Sequence, residues 1–135
     1  MIVVDTNVIG YLFLTSEHSP LAEQALQQDS EWAAPTIWRS ELRNVLAFYM
    51  RKDILTLESA QRVMNGALEL LRGREYEASS DEVLRRAAGS TCSAYDCEFV
   101  VTADELKVPL VTHDRRLLLE FPEVAVSLKT FCEQH

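Results

Sequence analysis

The chain opens on a continuous β-branched run, Ile2-Val3-Val4, and an unbroken apolar run of this kind suits a strand buried on both faces, as in a parallel sheet. Four more short runs read as strands: Trp32-Ala33-Ala34, Tyr76-Glu77-Ala78, Leu110-Val111-Thr112 after Pro109, and Val124-Ala125-Val126. Between them the apolar spacing turns helical. Ser19-Pro20 places an N-cap before a proline at the first helical position. Thr36, after Pro35, opens a helix predicted to run to about Lys52. Thr56 opens another, ending near Arg72-Gly73, where glycine suits the C-terminal side. Ser79-Ser80-Asp81-Glu82 reads as a capping box whose helix weakens at Gly89, and Ala94 to Lys107 carries a further helix. Strands alternating with helices predict an α/β fold with a mainly parallel sheet. No repeat, low-complexity tract or linker divides residues 1–135, so one domain is expected.

Composition changes this picture little. At 135 residues, 47% hydrophobic and 25% charged, the chain suits an ordinary globular core. The apolar run from Val8 to Leu14 is broken by Gly10 and is too short to span a bilayer. Asp5 is the first charged side chain, so no basic segment of a secretory signal precedes that run. Cys92, Cys97 and Cys132 are odd in number and lack paired zinc spacing, as expected of buried, reduced thiols in a cytoplasmic protein. The net charge of −8 speaks against a nucleic-acid partner, because phosphate binders usually carry a basic footprint. A protein that binds cations escapes this objection, since the bound cations can face the phosphates.

Four carboxylates stand in special places. Asp5 directly follows the first strand and Asp114 directly follows Leu110-Val111-Thr112, and ligand sites in open α/β sheets form outside the carboxyl ends of the strands. Either aspartate could instead simply cap the next helix. Glu41 stands four residues from both Ile37 and Val45, on a stripe reaching Phe48; Asp96 stands between Cys92 and Val100, with Phe99, Ala103 and Leu106 continuing its stripe. Each acid thus interrupts an apolar helix face, where an unpaired carboxylate is costly. A salt bridge to Arg39 or Arg43, or an edge position open to water, would equally relieve that cost. If the four acids converge they repel, and hard divalent cations such as Mg²⁺ or Mn²⁺ are the natural remedy. His18, His113 and His135 are scattered and suggest no zinc cluster.

Asp5-Thr6-Asn7-Val8, Ser40-Glu41-Leu42-Arg43-Asn44-Val45-Leu46, Tyr95-Asp96 and Val111-Thr112-His113-Asp114-Arg115-Arg116 occur in the order and spacing of PIN domains. Over essentially its whole length the chain resembles the VapC-like toxins of toxin–antitoxin pairs. The resemblance implies a three-layer α/β/α sandwich with strand order 3-2-1-4-5. It also implies a homodimer, an RNA substrate and an antitoxin partner that blocks the site. Asp5, Glu41, Asp96 and Asp114 match the family's four acidic metal positions. Thr6 and Asn7 in the first motif, Asn44 three residues after the glutamate, and Thr112 two before the last acid match supporting positions. Cys97 and His113 depart mildly from the usual pattern. The reaction implied is hydrolysis of RNA by water activated on Mg²⁺ or Mn²⁺. Arg39, Arg43, Arg115 and Arg116 are candidate phosphate contacts, with solvated helix arginines as the alternative. One rival is an aspartyl-phosphate phosphotransferase or phosphatase using Asp5 as nucleophile. That class resembles Asp-x-Asp where this chain has Asn7, and Lys52, Lys107 and Lys129 follow none of the strands. The other rival is a non-catalytic binding module on the same fold.

Overall fold

The computed structural model describes residues 1–134, and His135 lies outside them. Five short strands build the sheet: β1 (Ile2–Val4), β2 (Trp32–Pro35), β3 (Glu75–Tyr76), β4 (Leu110–Thr112) and β5 (Ala125–Ser127). Their order is β3-β2-β1-β4-β5, and every neighbouring pair is parallel, so the sheet is parallel throughout rather than mainly so. β1 sits at the centre, with Val3 opposite both Ala33 of β2 and Leu110 of β4. The chain leaves β1 toward β2 and later returns on the other side to β4. The carboxyl ends of β1 and β4 therefore flank the point where strand order reverses.

Among the described residues, eight helices connect and cover the strands: α1 (Thr6–Phe13), α2 (Ser19–Gln28), α3 (Ile37–Arg51), α4 (Leu57–Leu70), α5 (Ser80–Ala88), α6 (Ala94–Leu106), α7 (Arg115–Glu120) and α8 (Leu128–Gln134). α5 packs on α6, which lies against β1, β2 and β4. A second group joins α1, α2 and α8, with α1 and α8 also touching β4. The expected α/β/α sandwich follows. Its core runs through the wholly buried β1, the indoles of Trp32 and Trp38, Phe99, Leu110 and Leu117. Cys92, Cys97 and Cys132 are buried free thiols. Among the described residues no helix is long and apolar enough to cross a membrane.

Several local expectations shift. Ser19 lies inside α2 rather than capping it; His18 is the N-cap and makes no side-chain cap bond. The Ser19 hydroxyl instead donates to the carbonyls of Tyr11 (2.6 Å) and Leu14 (3.1 Å), tying α2 back to α1. Thr56 caps α4 through the Ser59 amide, and Ser79 caps α5 through the Glu82 amide, while the Glu82 carboxylate pairs with Arg85. Gly66 lets α4 approach α1 closely, since a Cβ there would stand 2.8 Å from the Phe13 ring. α7 and α8 span six and seven residues, too few turns for a 3.6-residue period to show in the sequence.

The third strand is Glu75–Tyr76 and does not include Glu77 and Ala78; it begins before Tyr76 because Glu75 is anchored. Arg39 donates to both Glu75 carboxylate oxygens, at 2.7 and 2.6 Å, and the Trp38 indole donates at 2.8 Å. α3 thereby pins the sheet edge. These bonds, Arg39 foremost, hold the Glu75 carboxyl below its ordinary 4.5 against the opposing effect of burial. A pKa lowered on folding stabilises above the unfolded value, and the stabilisation fades as pH falls through the folded one. Glu75→Gln is therefore expected to lower the urea midpoint at neutral pH, with the gap to wild type closing as the pH is taken well below 4.5. An equal gap at both pH values would assign the effect to packing instead of charge.

Candidate active site

At the end of β1 the backbone of Asp5 stays extended (φ −72°, ψ 157°), and its side chain caps α1. Oδ1 accepts from the Thr6 amide at 2.8 Å, and Oδ2 accepts from the Thr112 hydroxyl at 2.7 Å. That hydroxyl, at the end of β4, also accepts the Asp114 amide at 2.9 Å. Asp114 in turn caps α7, with Oδ1 taking the amides of Arg116 (2.8 Å) and Leu117 (3.2 Å). Both aspartates are thus helix caps, as the simpler reading had it. Capping engages only one oxygen of each, so it leaves room for a second role. The Thr6 hydroxyl donates to Glu41 Oε1 at 2.7 Å, bringing α3 to the same place. Asp96 enters from the first turn of α6, where Ser93 caps its amide at 3.1 Å and the positive end of the helix favours a carboxylate.

Asp5, Glu41, Asp96 and Asp114 all line one cleft of about 750 Å³, together with Thr6 and Asn7. Asp5 is buried, at 8% exposure. Burial raises its carboxyl to about 7; bonds from Thr112 and Thr6 oppose the rise, and the charges of Glu41 and Asp96 add to it. Burial also raises Glu41, with Asp96 contributing, and raises Asp96, with Asp114 contributing and Arg116 opposing. Asp5 thus senses the charges of Glu41 and Asp96, Glu41 that of Asp96, and Asp96 that of Asp114. Among the described residues no three of them are already gathered into a cluster that would hold an ion; they line a shared space rather than a shared point.

The donor set nonetheless suits a hard divalent cation. It consists of oxygens alone, and it is rich in negative charge in a desolvated setting. The Asn7 side-chain oxygen, in the same cleft, is buried without a hydrogen-bond partner, and a buried acceptor left unpaired is costly. Any of these oxygens could serve such an ion.

The helix stripes drawn from sequence need correction. The buried ridge of α3 is Trp38, Leu42 and Leu46, whereas Val45 is 36% and Phe48 51% exposed. Glu41 stands at the edge of that ridge and faces the cleft, not the core. α6 is buried on nearly every side from Cys97 to Ala103, so it has no single apolar stripe for Asp96 to interrupt. Asn44 is exposed and does not border the cleft. None of the four arginines borders it either. Arg39 is committed to Glu75, Arg43 folds back on the Arg39 carbonyl and the Ser40 hydroxyl, and Arg116 donates to the Thr91 carbonyl. Arg115 is exposed. The sequence reading missed the apolar wall of the cleft, which includes Tyr11, Leu14, Tyr49, Ile54 and Leu55. Tyr11, one helical turn beyond Asn7, was the one member whose spacing could have revealed it.

Comparison with known proteins agrees with this architecture. The family model of the PIN domain matches residues 2–125. Ribonuclease VapC3 of Pyrobaculum aerophilum is 27% identical over 125 residues, covering 90% of this chain and 95% of its own. The crystal structure of PAE2754 from Pyrobaculum aerophilum has a TM-score of 0.78 at 22% identity, over 98% of this chain and 94% of that one. A toxin–antitoxin complex from Klebsiella pneumoniae has a TM-score of 0.66 at 20% identity, over 95% and 98%. The likeness to these structures is one of fold.

The Thr112 hydroxyl is the joint between the two strand ends, fully buried and bonded on both sides. Thr112→Val keeps the shape and orphans two buried partners. The expected cost is roughly 2–3 kcal/mol in denaturant unfolding. A variant as stable as wild type would mean that water replaces the hydroxyl.

Proposed function

Because the chain belongs to the PIN-domain family, we propose that it is a metal-dependent endoribonuclease that hydrolyses RNA phosphodiester bonds and acts as the toxin of a toxin–antitoxin pair. The observation that carries this reading is the meeting of four carboxylates from β1, α3, α6 and β4 in one cleft at the reversal of strand order. The likeness to Ribonuclease VapC3 supports the substrate class. In this reading residues 1–135 form one catalytic domain of a cytoplasmic protein.

Asp5, Glu41, Asp96 and Asp114 would hold Mg²⁺ or Mn²⁺, with Asp5 central. The ion would supply charge neutralisation of the phosphate and a lowered pKa for water. The protein's own contribution is placement. Thr112 and the Thr6 amide orient Asp5 from opposite sides, and the Thr6 hydroxyl orients Glu41. Glu41, half-buried with a raised pKa, is suited to orient the attacking water and take its proton. Arg116, whose charge partly offsets the rise that burial and Asp114 impose on Asp96, is the arginine best placed to meet a phosphate as well.

The rival use of Asp5 as a phosphoryl acceptor fits less well, since Asn7 stands where that class has a second aspartate and, among the described residues, no lysine lines the cleft. Exposed apolar side chains at Val45, Phe48, Ile54 and Leu57 support the protein partners that this reading includes, a second copy of the chain and an antitoxin. The toxin–antitoxin complex from Klebsiella pneumoniae shares the fold.

Purified protein is expected to cut RNA with Mg²⁺ or Mn²⁺ and to stop in excess EDTA. Asp5→Asn should lower kcat by more than the ~100-fold typical of losing an outer partner of a metal ligand. Either cation should stabilise the wild type by about 2.7 kcal/mol at a hundredfold excess over its Kd, and stabilise Asp5→Asn less. Undiminished cleavage in excess EDTA, with Asp5→Asn equally active, would overturn the metal mechanism.

A further inference from the structure

Three rings are packed together at the rim of this cleft. The centroids of Tyr11 and His18 are 4.6 Å apart, those of His18 and His113 4.5 Å, and those of Tyr11 and His113 5.6 Å at an interplanar angle of 84°. They come from three separate segments: α1, the N-cap of α2, and the turn between β4 and α7. Tyr11 lines the cleft beside the acids. His113 stands between Thr112, which holds Asp5, and Asp114. Tyr11 and His18 are half-buried, whereas His113 is exposed.

The bracing behind His113 is built in. The Ser19 hydroxyl bonds the carbonyls of Tyr11 and Leu14 and accepts the Ser16 amide at 3.0 Å, while the His18 amide donates to Ser16 Oγ at 3.1 Å. This network fixes the α1–α2 turn and with it the His18 backbone, and the His18 ring packs against Tyr11. His113 packs on that ring, so a flat side chain is presented to solvent in a restricted orientation next to Asp114. Every nucleobase has a π face, and single-stranded RNA is commonly gripped by stacking its unpaired bases on aromatic side chains.

We propose that His113, braced by His18 and Tyr11, stacks on a nucleobase of single-stranded RNA beside the phosphate that is cut. This deepens the ribonuclease reading and rests on it. His113 then positions substrate through its ring face, whereas none of Arg39, Arg43, Arg115 and Arg116 borders the cleft.

The test uses full-length protein, Mg²⁺, and a single-stranded RNA oligonucleotide cut at one mapped bond, with a matched series each carrying one abasic nucleotide. His113→Ala is expected to raise KM between about 5-fold and 100-fold, with kcat little changed and the melting curve preserved. His113→Phe should restore KM, because a phenyl ring stacks as well. One abasic position next to the cut should raise the wild-type KM comparably, yet add little in His113→Ala. His18→Ala, which removes the brace, should move KM in the same direction by less. The proposal is overturned if His113→Ala leaves KM unchanged, if His113→Phe is as impaired as His113→Ala, or if the abasic and His113→Ala penalties multiply in full at every position. A wild type that cuts no RNA under any divalent cation sinks the ribonuclease reading first, and the stacking role with it.

Discussion

The hydroxyl of Thr112 joins the two strand ends on which the site is built. It donates to Asp5 and accepts from the Asp114 amide, so one buried side chain ties the carboxyl end of β1 to that of β4. These strands are neighbours only because the chain reverses its direction of travel across the sheet between them. Parallel strands leave their carboxyl ends together on one edge, and helices α1 and α7 start there. The same two aspartates therefore serve as caps and as cleft acids. From Asp5 the network extends through Thr6 to Glu41 on α3.

Concentrating acids in a partly desolvated cleft works against folding. Burial and mutual repulsion push Asp5, Glu41 and Asp96 toward their protonated forms, and the hydroxyls of Thr112 and Thr6 offset part of that cost. An arrangement that is unfavourable for the protein alone is favourable toward a small multivalent cation. The same trade answers the objection raised by the net charge of −8: with a cation in the cleft, a phosphate meets positive charge there even though the chain as a whole is acidic.

Around the acids, the basic residues are largely engaged in holding the fold. Arg39 fastens β3 through Glu75, and Arg43 and Arg116 bond main-chain carbonyls. The rest of the cleft wall is apolar and aromatic, with Tyr11, Tyr49, Leu14 and Leu55. This division places charge where a phosphate would lie and flat or greasy surface where bases or a protein partner would lie.

Much of the fold was legible in the amino-acid order because the signals were local. The β-branched Ile2-Val3-Val4, the run Leu110-Val111-Thr112 and the caps at Thr56 and Ser79 each act within a few residues, and they mark their elements directly. The four acids could be named because their motifs stand in register with a known family. Tertiary structure decided the rest. β3 starts at Glu75 because Arg39, 36 residues away in sequence, anchors it there. Glu41 faces the cleft at the edge of a ridge formed by Trp38, Leu42 and Leu46, since one residue on a helix turns a side chain through roughly 100°. The rings of Tyr11, His18 and His113 meet only after α1, α2 and β4 have packed, and a contact with His113, far along the chain from the other two, leaves no periodicity for a sequence to display.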